Sequence, residues 1–268
     1  MLRTNARQKR HYEAENPHIE TGGTATHVWA RTRRAMISMG YKAGIDDDVI
    51  GIHREWLGDL SSKKVLDLGC FDGNPLSMHL ARTSASYLGL DLSEQATRRL
   101  NRKLGEAGLS RPETKAEAGD ILSPDFREAD FDVVYAKSVL HHFKHFDAML
   151  RVLHDKLAPN GIVVAIDPMQ TALPVRVARA LYRPLQSDRA WEFPFTRRTF
   201  LDIQRYFIIE GLQGVLGRSK WAFLAAPLGT DRAARLARRL HQHDLKRANK
   251  PGDDLWQCMT VTIKLRRV

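Results

Sequence analysis

The chain predicts an α/β fold, a largely parallel sheet with helices on both faces. Two observations carry this expectation. Short apolar runs with the look of buried strands recur between residues 63 and 168, and most are followed by a capped or periodic helical stretch. The composition agrees: 268 residues, 43% hydrophobic and 27% charged, suit one large globular domain or a domain with a cap.

The elements follow in order. Residues 63–68 (KKVLDL) read as a short buried strand. Asn74 is a natural N-cap and Pro75 a natural first helical position, so a helix is expected over about 75–83. SYLGLDL (86–92) is the second strand, and Ser93 starts a helix in which Ala96, Leu100 and Leu104 recur at helical spacing. TKAEAGD (114–120) and FDVVYA (131–136) are the third and fourth strands. A helix over about 145–157 stops at the turn LAPNG (157–161), and GIVVAID (161–167) is the fifth strand. Residues 170–192 form an insertion with Pro and Arg. Thr196 caps a helix over about 196–206, and FIIEGLQGVL (207–216) and LWQCMTVTIKL (255–265) complete the strands. The first 60 residues look helical. The expected organisation is a helical lid segment over 1–60 and one domain over 61–268. Its core is 61–168 and 196–268, with lid insertions at about 169–195 and 217–254.

The net charge of +11 is unevenly placed. Residues 169–268 hold 19 Lys and Arg against eight Asp and Glu, so they carry the whole excess. A basic face suits a phosphate, a lipid headgroup or nucleic acid, or merely solubilises the chain. Cys70 and Cys258 form no CxxC pattern, which argues against a disulfide framework or zinc site and fits a reducing, cytoplasmic location. No apolar run approaches the length of a membrane span. The N-terminus MLRTNARQKRHYEAE is basic without an apolar core, so it reads as a mobile arm and not a secretory signal.

The stretch VLDLGCFDGN (65–74) runs a strand into a turn with Gly69 and Gly73. Such a turn lets backbone approach a nucleotide-like ligand. G-C-F-D-G has Phe71 where a dinucleotide fold wants glycine, and the GK[ST] of a P-loop is absent. With the other strand ends included, residues 63–168 and the last two strands resemble the class I S-adenosylmethionine-dependent methyltransferase family. That resemblance implies a Rossmann-like seven-stranded sheet and S-adenosyl-L-methionine as cofactor, released as S-adenosyl-L-homocysteine. VLDLGCFDG matches the first family motif, which cradles the methionine part. Asp67, Gly69, Phe71 and Gly73 belong to that turn, and Phe71 departs from the usual glycine. Asp91 and Leu92 in YLGLDLS stand where the family binds the ribose, and a carboxylate can accept two hydroxyl hydrogen bonds. In AGDIL, Asp120 would accept from the adenine amino group and Ile121 would offer its backbone N–H. FDVVYAKSVLHHF (131–143) matches the fourth motif, beside the transferred methyl.

Methyl transfer needs alignment, exclusion of water and sometimes a base. His141 and His142 are the base candidates; the alternative is packing beneath the cofactor and capping of a loop. With His145 they also raise the thought of a metal, as does Asp167, but no acid cluster completes a site, and none is expected. Lys137 is a candidate contact for the cofactor carboxylate, or a surface residue. His11, Tyr12 and His27-Val28-Trp29 could close over the cofactor. Trp191, Phe193 and Phe195 would line an apolar acceptor or pack the lid.

The acceptor is less legible. Position 135–140 reads YAKSVL and not the [DN]-P-P-[YF] of amino-group DNA methylases, and no cysteine near the fourth strand serves cytosine chemistry. The expectation is O-methylation of a small metabolite, such as a natural product, a sugar or a lipid-linked intermediate, with an anionic acceptor favoured by the basic region. Ala233, Leu236, Ala237 and Leu240 share a helix face, which reads as a lid helix or as a membrane-surface helix. The alternatives are an RNA methyltransferase, which would lack a stacking platform, and a non-catalytic scaffold. Nucleic acid is therefore not the expected partner. The sequence is silent on oligomeric state.

Overall fold

A computed structural model describes residues 24–185 and 190–268; the N-terminal arm with His11 and Tyr12 lies outside the described residues. Seven strands form one sheet in the order β3-β2-β1-β4-β5-β7-β6. β1 (Lys64–Leu68), β2 (Ser86–Asp91), β3 (Thr114–Ala118), β4 (Phe131–Lys137) and β5 (Leu157–Pro168) pair in parallel. β7 (Thr260–Arg267) lies antiparallel between β5 and β6 (Phe207–Val215). The central strands are largely apolar, because helices cover both faces. Alternate residues divide between them: Leu66, Val134 and Val163 enter one core, and Val65, Val133 and Val164 the other.

α1 (Thr24–Lys42) and α2 (Ile45–Leu57) precede the sheet, and α3 (Pro75–Thr83) and α4 (Glu94–Glu106) follow β1 and β2. Leu57 of α2, Leu76 and Leu80 of α3 and Leu100 and Leu104 of α4 fill the second core. α5 (Phe146–Lys156), with Met149, Leu150 and Leu153, fills the first. Both predicted caps form. Asn74 Oδ1 accepts the N–H of Leu76 at 2.9 Å and of Ser77 at 3.2 Å, and Ser93 Oγ accepts that of Ala96 at 3.2 Å. α2 lies flat on the sheet: its Trp56 ring leaves no room at Gly211, where a Cβ would come within 2.8 Å.

Four boundaries differ from expectation. The LAPNG turn is part of β5: Phe131 pairs with Leu157 and Val133 with Ile162, so a bulge with Asn160 at φ 60° absorbs the extra residues. The insertion after β5 contains a helix, α6 (Leu173–Tyr182). The Thr196-capped helix α7 (Arg197–Ile203) is shorter, ended by the turn that aims β6 back at the sheet. Residues 253–256 fold as a short helix, α9 (Asp253–Trp256), so the last strand starts at Thr260.

α8 (Thr230–Arg247) is the basic helix. Ala233 and Ala237 are buried and Leu240 half-buried, while Leu236 stays exposed. Its apolar stripe is thus mostly turned inward, as in a packed helix. Val215 pairs with Thr260, which pairs with Pro168. β5 and β6 therefore end at the same edge, and the segments that follow them, α6 and α8 among them, start from that edge. Among the described residues no helix is long and apolar enough to cross a membrane.

Candidate active site

The strand order reverses between β1 and β4, and the carboxyl ends flanking such a switch point form a crevice. The turn after β1 is tightly built. Gly69 has φ 66°, and a side chain there would collide with Val139; Gly73 has φ 82°, and its Cβ would sit 2.6 Å from Leu100 Cδ1. Phe71 adopts the left-handed conformation of the glycine it replaces, with φ 48°. A hydrogen bond holds it there: the Phe71 N–H donates to Asp91 Oδ2 at 3.0 Å, while Asp91 Oδ1 accepts the Ser93 N–H at 2.9 Å. Asp91 thus shapes the first turn from the end of the neighbouring strand, and burial raises its carboxyl.

Asp67 sits beneath this turn. It is 1% exposed, accepts the Tyr87 hydroxyl at 2.8 Å, and burial pushes it up to about 6. Leu92 is half-buried beside Asp91. The Gly119 N–H donates to the Asp91 carbonyl at 2.8 Å, so the loop with Asp120 leaves the sheet alongside Asp91. Asp120 Oδ1 accepts the Leu122 N–H at 2.9 Å, and the Ile121 side chain is buried. The Ile121 N–H has no hydrogen bond among the described residues. Two carboxylates and one open backbone donor on a single edge match the groups of a nucleoside: acceptors for hydroxyls and an exocyclic amine, a donor for a ring nitrogen. Lys137 is half-buried, and its charge acts on Asp46 and His53 of α2.

The two histidines occupy a 3-10 turn, Leu140–His142, after β4. His141 is 4% exposed, and its Nδ1 lies 2.7 Å from Asp167 Oδ1, which also accepts the His141 backbone N–H at 3.1 Å. Asp167 is wholly buried, and burial raises its carboxyl against the pull of His141. With Nδ1–H on the carboxylate, the imidazole presents Nε2 as its lone-pair nitrogen. Among the described residues Nε2 makes no hydrogen bond. The His142 ring lies against it, centroids 4.0 Å apart, with its Nδ1 3.1 Å from the Trp191 carbonyl. Sequence reasoning placed Asp167 on the edge but missed it as the partner of His141. The signal lay in the strand order and not in the sequence: β4 and β5 are neighbours, so their ends meet. Trp191 and Phe195 are buried, and Phe195 packs edge-on against Phe146 and Phe200. That is packing between the insertion and the core. His145 is exposed, and no three metal-ligating side chains gather among the described residues.

Residues 66–163 match the family described as a methyltransferase domain. Among curated relatives, a ubiquinone biosynthesis O-methyltransferase of Azoarcus sp. is 36% identical over 106 residues, covering 39% of this chain and 43% of that protein. A sterol 24-C-methyltransferase of Gibberella zeae is 30% identical over 120 residues, covering 43% of this chain and 31% of that protein. The matches thus span less than half the length of the curated relatives. Among solved structures, geranyl diphosphate C-methyltransferase from Streptomyces coelicolor superposes with a TM-score of 0.58 at 15% identity, over 83% of this chain and 79% of that one. Motif order, sheet topology and these matches agree: residues 66–163 form a methyltransferase domain, on the fold shared by S-adenosylmethionine-dependent methyltransferases.

Proposed function

We propose that this chain transfers a methyl group to a hydroxyl of a small-molecule acceptor. The observation that carries the choice of oxygen is the buried His141–Asp167 pair at the ends of β4 and β5. A hydroxyl must lose its proton as it takes a methyl, and an oriented imidazole is built for that task. S-adenosylmethionine, when bound, supplies an electrophilic sulfonium methyl. The turn Gly69–Gly73 would hold its methionine part with Asp67 bracing the turn, Asp91 and Leu92 its ribose, and Asp120 and Ile121 its adenine. Lys137 would tie this edge to α2. His141 Nε2 takes the acceptor proton, and Asp167 stabilises the imidazolium that forms. His142, fixed by the Trp191 carbonyl, braces the ring of His141. The elements at 24–57, 169–185, 190–195 and 217–254 would exclude water from the edge. The relatives' names include both carbon and oxygen methylation, and the base favours oxygen.

Calorimetric titration with S-adenosylhomocysteine tests the cofactor site, with micromolar affinity expected. A panel of hydroxyl and amine acceptors, read by released S-adenosylhomocysteine, tests the chemistry. His141→Gln is expected to lower kcat about 10²- to 10⁴-fold while leaving cofactor affinity within twofold. Absence of cofactor binding refutes the enzyme reading, and a kcat unmoved by His141→Gln refutes the base.

A further inference from the structure

The segment after β6 turns apolar side chains to solvent. Ser219–Leu228 form a 3-10 helix, in which every third residue falls on one line. On that line Trp221 is 44% and Leu224 63% exposed, and Pro227 is exposed as well. The other side of this helix is packed: Ala222 is fully buried in one cluster with Ala237 of α8. α8 continues the surface. Leu236, Leu240 and Asp244 stand at i, i+4 and i+8, and Asp244 accepts the N–H groups of Gly217 and Ser219 at the turn that opens the 3-10 helix. Leu236, 40% exposed, therefore lies on the flank of α8 that meets the 3-10 helix. On the other flank Arg238 and Gln242 bond Asp48. Between the two flanks, away from the core, stand Arg232, Arg235 and Arg239, all exposed. The acids around α8 have other partners: Asp231 pairs with Lys42, Asp48 with Arg238 and Asp254 with Arg247. Among the described residues no acid pairs with those three arginines.

The two parts of this surface favour different surroundings. The ridge of Trp221, Leu224 and Pro227 gains by leaving water, and the arginines gain beside phosphate oxygens. A nucleic acid answers the arginines alone, because it stacks bases on aromatic faces and Leu224, Pro227 and Leu236 offer none. An anionic bilayer answers both: tryptophan and leucine settle at the boundary of headgroups and acyl chains, and arginines at the headgroup phosphates. We propose that the 3-10 helix and α8 form a docking surface for an anionic lipid bilayer. The charge of the region is complementary to such a partner, since residues 169–268 carry the whole positive excess of the chain. The 3-10 helix and α8 follow β6, whose carboxyl end lies at the edge where β5 ends. Docking therefore brings that edge to the membrane, and the acceptor is drawn from lipid. That last step rests on the methyltransferase reading above; the docking surface itself does not.

The test sediments full-length protein with vesicles of phosphatidylcholine, alone or mixed with phosphatidylglycerol. It compares wild type with Trp221→Ala/Leu224→Ala and Arg235→Ala/Arg239→Ala. All four side chains are exposed, so the thermal midpoints of the variants are expected to match wild type. Wild type should bind the mixed vesicles, should bind phosphatidylcholine alone at least tenfold more weakly, and should release as salt rises. Each double variant should weaken binding to the mixed vesicles about tenfold or more. No sedimentation, or sedimentation indifferent to lipid charge or to both variants, overturns the proposal. Retention of single-stranded RNA without vesicle binding overturns it in favour of a nucleic acid. A dimer lost in Trp221→Ala/Leu224→Ala, without vesicle binding, overturns it in favour of a second copy of the chain. Calorimetric titration of the same proteins with S-adenosylhomocysteine keeps the two readings apart: vesicle binding without cofactor binding upholds the surface and strikes the cofactor reading.

Discussion

Asp67, buried beneath the turn after β1, strains the fold that it helps to shape. Its carboxyl is held at about 6 by burial, against an ordinary 3.8, with the Tyr87 hydroxyl pulling the other way. The folded state therefore binds this proton more tightly than the unfolded chain. The contribution to stability is full below about pH 4 and is lost as pH rises through 6, a cost near neutrality of about 3 kcal/mol. Asp67→Asn keeps an acceptor for Tyr87 and removes the charge. It is expected to gain up to about 3 kcal/mol at pH 7.5 and little at pH 4, read by chemical denaturation at the two values. An equal gain at both would show that ionisation is not the cause. The strand-end positions of Asp67, Asp91, Asp120 and Asp167 were legible in the sequence, because a strand followed by a turn fixes them. Their partners were not. Tyr87 lies 20 residues from Asp67, and Asp167 lies 26 from His141, so only the strand order brings them together. Phe71 is the converse case: the sequence showed a departure from glycine, and the backbone absorbed it through Asp91.

At the scale of elements, Asp244 does for the turn after β6 what Asp91 does for the turn after β1. This buried residue of α8 accepts the N–H groups of Gly217, Arg218 and Ser219 at 3.0, 2.8 and 3.0 Å, and the Ser219 hydroxyl at 2.7 Å. It fixes the turn after β6 to α8. Asp244→Ala would leave four buried or half-buried donors, three N–H groups and the Ser219 hydroxyl, without their acceptor, at about 1–3 kcal/mol for a fully buried one. A loss of about 3 kcal/mol or more is expected. Amide exchange should speed up at 217–219 and leave β1 to β4 unaffected. A loss under about 1 kcal/mol would mean that water replaces the carboxylate there. The central strands were readable because burial on both faces leaves continuous apolar runs. The amphipathic pattern of α8 was readable too, but not its direction, which Arg238 settles by bonding the Ala43 and Gly44 carbonyls and Asp48 at the α1–α2 corner. The helix inside 170–192 was hidden by its proline and arginines, which look like loop residues until Pro174 falls in the first turn of α6.

Across the whole molecule, two buried groups set opposing responses to acid. His53 fastens α2 to the sheet through Thr262, whose own hydroxyl proton goes to the Ala165 carbonyl at 3.0 Å. His53 Nε2 must therefore be the donor, and Nδ1 is left buried with no hydrogen bond among the described residues. Burial, with the nearby Lys137 charge, depresses this imidazole to about 4. Its folded-state value lies below the ordinary 6.5, so its contribution is present above pH 6.5 and is lost as pH falls toward 4, by about 3 kcal/mol. Asp67 contributes the reverse slope over nearly the same window, so in the intact protein the two largely offset each other. His53→Leu removes one of them. Relative to wild type, its stability is expected to improve by about 3 kcal/mol on going from pH 7 to pH 4, because only the wild type then protonates a buried imidazole. Asp67→Asn should change in the opposite direction over the same range, and the double variant should track wild type in slope. Denaturation midpoints across pH 4 to 7 for the four proteins check this. A His53→Leu curve parallel to wild type would mean that α2 lifts from the sheet and hydrates the imidazole before it takes its proton.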